Sequence, residues 1–221
     1  MKLFISALSK LTAGLVLIGA MLFLPAWTFD YPNAWLFLGL LLLPMLILGA
    51  FLLIRSPALL EKRLNGKEKE STQRGVVALS GLMFPIGFVL CALDFRFGWS
   101  CVPVWAVIVA SVSFLLGYVG YAEVMRENAY LSRTVEVQEG QTVIDTGLYG
   151  IVRHPMYLAT LFMFLPLPLV LGSFFGLIPF ALYPVLIVIR ILNEEKLLEE
   201  ELGGYKEYKA KVKYRLIPFV W

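Results

Sequence analysis

Four stretches of the chain, about residues 11–27, 34–54, 76–93 and 101–121, contain no lysine, arginine, aspartate or glutamate. Apolar runs of roughly 17–25 residues are what a helix needs to cross a hydrocarbon core of about 30 Å with its backbone hydrogen bonds closed internally. Composition points the same way, since 59% of the 221 residues are hydrophobic and 16% charged, against about 25% charged in soluble domains. The sequence describes an integral, multi-pass membrane protein.

A fifth charge-free tract runs from His154 to Arg190. It is too long for one span and just long enough for two short ones, with Leu171-Gly172-Ser173 as the tip. Pro166, Pro168, Pro179 and Pro184 are expected to kink these two helices, which a membrane bundle tolerates because neighbours re-satisfy the freed backbone groups. The expected architecture is all-α, with about six transmembrane helices: four long ones plus a short C-terminal helical hairpin. The N-terminal run after Lys2 and Lys10 resembles a secretory signal, but it leads into further spans without a small-x-small cleavage site, so it reads as a retained first helix.

Basic residues set the orientation, because loops rich in lysine and arginine stay cytoplasmic. Of 19 lysines and arginines, only Arg96 falls on the proposed outer side, formed by residues 28–33, 94–100 and the tip near 172. Both termini are then cytoplasmic. In a bacterium the membrane would be the inner one. Trp27, Trp35, Trp99 and Trp105 fall near the outer ends, as interfacial anchors do. The net charge of +3 reflects this topology, with acids such as Glu68 and Glu70 interleaved, so no nucleic-acid partner is expected. Cys91 and Cys101 lack metal-ligand or CxxC spacing and read as ordinary buried thiols; no metal site is expected.

The first four spans read as scaffold, with Gly14, Gly19, Gly39, Gly49, Gly81, Gly87, Gly117 and Gly120 permitting close helix approach. Polar chemistry concentrates after residue 121, in three places. The segment "EVQEGQTVIDTG" reads as extended and turn-rich, leading into Arg153-His154-Pro155 at a helix start, where free N–H groups can meet anions. The only histidine, His154, is either an interface residue or cap, or a ligand. At the end of the last span, Arg190 and Glu194 share a helical face and can pair, while Glu195 lies on a neighbouring face. The tail "GGYKEYKAKVKYRLIPFVW" alternates tyrosines with basic residues. It either lies on the bilayer surface or folds back over a site. Antiparallel hairpin helices start and finish on the same side, so His154 becomes a neighbour of Arg190 and Glu194. The result is a candidate small-molecule pocket.

"TGLYGIVRHPMYLA", an apolar hairpin, Arg190-x-x-x-Glu194-Glu195-x-x-Leu198 and then "GGYKEYKAKVKYRLIP" together resemble the isoprenylcysteine carboxyl methyltransferase and phospholipid methyltransferase group of membrane enzymes. The resemblance covers about residues 120–221. It implies transfer of a methyl group from S-adenosyl-L-methionine to a lipophilic, membrane-embedded acceptor, small or lipidated, with residues 1–121 as a four-helix scaffold and 122–221 as the catalytic region. Carried over by motif, Gln141, Val143, Ile144, Tyr149, His154 and Glu194 hold the cofactor on the cytoplasmic side, with Tyr157 and Glu195 adjacent. Arg190 faces the acceptor, and Arg190 and Glu194 are the catalytic pair. Gln141 replaces a histidine common among relatives, and Ala159 replaces the glycine of RHPxYxG.

A carboxylate acceptor is already a nucleophile near neutral pH and needs only orientation by Arg190. An amine acceptor, the phospholipid version, must lose a proton, and Glu194 or Glu195 are the candidate bases. An NADPH-dependent membrane reductase is the competing enzyme class, because sterol reductases share a related C-terminal architecture. A transporter is disfavoured by the near-absence of ionisable residues inside the spans.

Overall fold

A computed structural model describes residues 2–65, 71–131 and 136–221. Glu68 and Glu70 lie outside these residues. Among the described residues the fold is entirely helical, with no strands: α1 Lys2–Ala26, α2 Pro32–Arg55, α3 Pro57–Asn65, α4 Ser71–Phe97, α5 Val104–Glu127, a 3₁₀ turn Gly147–Gly150, α6 Pro155–Phe164, α7 Leu167–Val170, α8 Leu177–Phe180, α9 Leu182–Glu201 and α10 Tyr205–Lys211. Among the described residues five segments are long and apolar enough to cross a membrane: α1, α2, residues 75–97 of α4, α5 and the stretch Leu177–Glu201; Pro155–Val170 is a shorter apolar helix.

The expected hairpin is therefore asymmetric. Its first arm breaks at Pro166, where α6 gives way to α7. The return arm is a full-length span because α9 continues as helix past Arg190 to Glu201, well beyond the apolar tract. The tip falls where the sequence placed it: α7 ends at Val170 and Gly172 adopts φ +78°.

Buried polar groups hold that tip. Tyr31 Oη donates to Leu171 O at 2.6 Å, and Asn33 Nδ2 donates to Val170 O at 2.8 Å. Asp94, 1% exposed, accepts hydrogen bonds from Ser100 N at 2.7 Å, Ser100 Oγ at 2.6 Å and Ser173 Oγ. A buried carboxylate is tolerable only with partners of this kind. The starts of α2 and α5 and the hairpin tip thus share one end of the bundle, together with Trp27, Trp35, Trp99 and Trp105, all exposed. Arg96 stacks over the Trp27 ring at the same end.

The interior is aromatic, with Phe37, Phe114 and Phe180 fully buried and Phe84 meeting Phe164 and Phe180 edge to face. The outward faces are equally apolar, as at Ile47, Leu82, Val109 and Ile178, the pattern of a surface solvated by lipid. Cys91 is buried as expected, whereas Cys101 is exposed, because it precedes α5 in the connecting loop instead of lying within the bundle.

The glycines divide sharply. A methyl group added at Gly14, Gly39, Gly49 or Gly81 would meet nothing within 4 Å, so these four do not serve close packing here. Gly117 does: a Cβ there would sit 2.7 Å from Ala159 O and 2.9 Å from Met163 N, both backbone atoms of α6. A Cβ added at Gly120 would sit 3.5 Å from the Ala159 methyl, an ordinary contact, so there is room beside α5 for alanine where the motif expects glycine. Replacing Gly117 with Ala should push α6 off α5 and lower stability by about 1–3 kcal/mol, whereas Gly14→Ala should be neutral or slightly stabilising. Thermal unfolding of the two variants in the same detergent checks this contrast.

Candidate active site

The site is assembled at the opposite end of the bundle from the Asp94 cluster. Residues 136–146, between α5 and the 3₁₀ turn, fold as turns and irregular chain. Gly140 (φ +72°) and Gly147 (φ +53°) supply left-handed positions. Gly147 is additionally crowded, since a Cβ would fall 1.4 Å from Glu127 Oε1. Glu127 accepts a hydrogen bond from Leu148 N at 3.1 Å, which ties the 3₁₀ turn to the end of α5. The turn delivers Arg153 and His154 to the start of α6, where His154 occupies the N-cap position and Pro155 the first helical turn. The imidazole makes no cap hydrogen bond; it reaches across to α9.

There it meets Glu195. This carboxylate is 3% exposed, and its Oε1 accepts from Arg153 Nε at 2.7 Å and lies 3.3 Å from His154 Nε2. Its Oε2 accepts from Arg215 Nε at 2.9 Å. A carboxylate is acceptor only, so the proton between the two side chains belongs to His154 Nε2. Glu195 is therefore saturated by its own chain and does not line the pocket.

The neighbouring Glu194 does line it. Tyr157 stands between the two catalytic candidates: Arg190 Nε donates to Tyr157 Oη at 2.9 Å, and Tyr157 Oη donates to Glu194 Oε2. The His154 ring stacks on Tyr157 with centroids 5.7 Å apart. The hairpin thus brings His154, Arg190 and Glu194 together as its topology requires, with the Tyr157 hydroxyl linking Arg190 to Glu194.

The tail folds back over these groups. Arg153 N donates to Tyr214 O and His154 N to Arg215 O, each at 2.9 Å, while Arg153 Nη1 donates to Val212 O at 2.7 Å and Lys213 O at 2.9 Å. Tyr208 Oη donates to Tyr149 O at 2.8 Å. Burial raises the phenol pKa values of Tyr149, Tyr205 and Tyr208 above the usual range, so all three stay protonated. At the exposed edge Lys211 bonds Asp145 at 2.6 Å and holds that carboxyl below its ordinary value.

What these pieces enclose is an open cleft with a cavity volume of about 100 Å³. Gln141, Val143, Ile144 and Tyr149 line it on the loop side, and His154, Tyr157, Arg190 and Glu194 on the helical side. Gln141 Oε1 is engaged within the loop, accepting from Gln138 N at 2.9 Å. Val143 packs with Leu198 and Leu202, giving an apolar wall, and Ile144 packs beside Tyr149. Two lining residues that motif reading did not select are Tyr205 and Tyr208. Their signal was the tyrosine spacing of the tail, which has meaning only once the tail folds inward.

Residues 105–204 match the family described as phospholipid methyltransferase. That family is one of membrane methyltransferases, and the matched stretch contains the RHPxY and Glu-Glu motifs, whereas residues 205–218 of the tail motif lie beyond it. The chain is also 33% identical over 91 residues to the Delta(14)-sterol reductase TM7SF2 of Mus musculus, an alignment covering 40% of this chain and 22% of that protein. The chain therefore spans less than a quarter of that relative's length.

The Glu195 cluster has a measurable consequence. Removing the buried charge while leaving Arg153 in place should cost about 3–5 kcal/mol. Glu195→Gln should lower the melting temperature and release the tail, seen as faster tryptic cleavage after Lys213 and Arg215 than in the wild type.

Proposed function

We propose that this protein transfers a methyl group from S-adenosyl-L-methionine to a lipophilic, membrane-embedded acceptor, most like isoprenylcysteine carboxyl O-methylation, with the pocket on the cytoplasmic face. The observation that carries this reading is the Arg190–Tyr157–Glu194 chain, set beside His154 in one pocket within the stretch that matches the methyltransferase family. Residues 1–121 serve as scaffold and 122–221 carry the chemistry.

The donor set suits the cofactor. Glu194 provides a carboxylate for an ammonium or ribose hydroxyls. His154, with Nε2 committed to Glu195, offers its other nitrogen. The apolar wall of Val143, Ile144, Leu198 and Leu202 suits a purine, and the buried Tyr205 hydroxyl, which has no partner among the described residues, is an orphan that a polar ligand satisfies. When bound, the cofactor supplies an electrophilic methyl group on a sulfonium.

The protein's own task is to position and to exclude water. Tyr157 fixes Arg190 and Glu194 relative to one another, so the guanidinium faces the acceptor while the carboxylate faces the cofactor. Arg190 orients a carboxylate acceptor, which needs no base. An amine acceptor would use Glu194 to take its proton, with Tyr157 as the adjacent hydroxyl. Glu195 acts through His154, whose ring it holds, and the folded tail closes the pocket from the aqueous side.

The similarity to a sterol reductase supports a second reading, NADPH-dependent reduction of a membrane lipid. The methyltransferase family match over 105–204 favours the first.

Purified protein incubated with methyl-labelled S-adenosyl-L-methionine and a membrane lipid extract should yield a labelled lipophilic product; absence of any labelled species contradicts the proposal. Glu194→Gln and His154→Ala should each weaken S-adenosylhomocysteine binding about tenfold or more, the scale of hydrogen bonds to charged groups. Arg190→Ala should leave that affinity near wild type and reduce turnover by about 100-fold. Unchanged values in all three would remove the assignment.

A further inference from the structure

At the pocket end of the bundle a second cavity, of about 600 Å³, opens between α2, α3 and α5. That volume falls within the range of about 300–1,000 Å³ typical of ligand clefts. Farther along the bundle Phe37 and Phe114 bring α2 and α5 together, with ring centroids 5.9 Å apart. Here α2 breaks at Ser56, and α5 and the residues just after it present the small side chains of Ala122 and Ala129, so a trough remains.

Its lining is of two kinds. Leu52 and Met125 belong to one buried cluster and give an apolar floor, which the exposed Phe51 continues outward. The rim carries Arg55, Lys62 and Arg126, and no carboxylate lines the cavity among the described residues. Arg55 is exposed and makes no hydrogen bond or ion pair with any described residue. Lys62 Nζ donates to Gln138 Oε1, and Arg126 pairs with Glu123 at the surface. Exposed contacts of this kind are worth little, so both cations remain available to an anion.

Three cations over an apolar trough at a bilayer surface match a phosphate of net negative charge carried on acyl chains. Each lysine or arginine near the surface gains about 1 kcal/mol from anionic lipid, and guanidinium–phosphate hydrogen bonds add direction. A zwitterionic lipid would bring its own ammonium against this rim, and a soluble phosphate would leave the apolar floor uncovered. We propose that the groove holds an anionic phospholipid as a resident ligand, with its phosphate on Arg55, Lys62 and Arg126 and an acyl chain along Phe51 and Leu52. The site is separate from that of the reaction, since Arg190 and Glu194 line the other cavity and Tyr130, which lines both, stands between them. Tyr130 is fixed there by its hydroxyl, which donates to Gly140 O at 2.9 Å. The proposal does not require the methyl-transfer reading.

The test uses full-length protein in detergent, with native mass spectrometry in the presence of phosphatidylglycerol or phosphatidylcholine of the same chains, and thermal unfolding with and without lipid. The wild type should retain phosphatidylglycerol saturably, about tenfold more tightly than phosphatidylcholine, and melt at a higher temperature with it bound. Combining Arg55→Gln with Lys62→Gln should weaken that binding about tenfold or more, whereas Lys2→Gln, at an exposed cation outside the groove, should leave it unchanged. Ala122→Trp fills the trough with all three cations in place and should abolish saturable retention. Its lipid-free melting temperature reports whether the fold survives, and Ala129→Trp repeats the test at an exposed position. Equal affinity for the two lipids, unchanged binding in the double variant, an equal loss in Lys2→Gln, or full retention in a folded tryptophan variant overturns the proposal. So does a lipid-free dimer that Ala129→Trp dissociates, which would assign the groove to a second copy of the chain.

Discussion

The pocket end of the molecule depends on a single buried carboxylate. Glu195 sits near the end of α9 with two arginines and the histidine around it. Arg153 comes from the loop before α6, Arg215 from the tail and His154 from the start of α6. The hairpin start and the tail lie far apart in sequence, and each would otherwise be free to move at the membrane surface. An isolated charge at this depth would be prohibitively costly, and an unpaired guanidinium equally so, hence each side of the cluster requires the other. The backbone bonds from Arg153 N and His154 N to the tail carbonyls then follow as a short, register-fixed pairing. The cluster makes a pocket from parts that no single element could hold.

A second buried carboxylate does the corresponding work at the far end. Asp94 pins the hairpin tip through Ser173 and the α4–α5 loop through Ser100. A helical hairpin in lipid has little hydrophobic reason to prefer one depth over another, because its faces are apolar throughout. Hydrogen bonds at the tip set that depth, and with it the height at which Arg190 and Glu194 stand opposite His154 and Tyr157. The close approach of Gly117 to Ala159 and Met163 holds the same register midway along.

Much of this was legible in the residues. Charge-free runs located the spans, and the basic loops grouped the polar motifs on one side. The charge-free tract with Gly172 at its middle gave the hairpin and its tip, and therefore the meeting of His154 with Arg190 and Glu194. What escaped reading depends on directions that spacing does not encode. Glu194 and Glu195 are adjacent letters, but one faces the pocket and the other an ion cluster, and only the rotation of α9 decides which. The Tyr157 hydroxyl between Arg190 and Glu194 could not be seen without knowing how α6 is turned. The tail was ambiguous because a basic, tyrosine-rich segment suits a bilayer surface as well as a buried seat; the carbonyl acceptors it offers to Arg153 resolve it. Asp94 passed unnoticed because it falls where a span meets its loop, a place where a solvated acid is ordinary.

The central claim is that the pocket beneath the tail is built for an S-adenosyl ligand. Isothermal titration of the purified protein with S-adenosylhomocysteine and, separately, with NADPH tests it most directly. The account predicts saturable binding of S-adenosylhomocysteine, weakened about tenfold or more in Glu194→Gln, and no binding of NADPH; saturable NADPH binding with none for S-adenosylhomocysteine would contradict it.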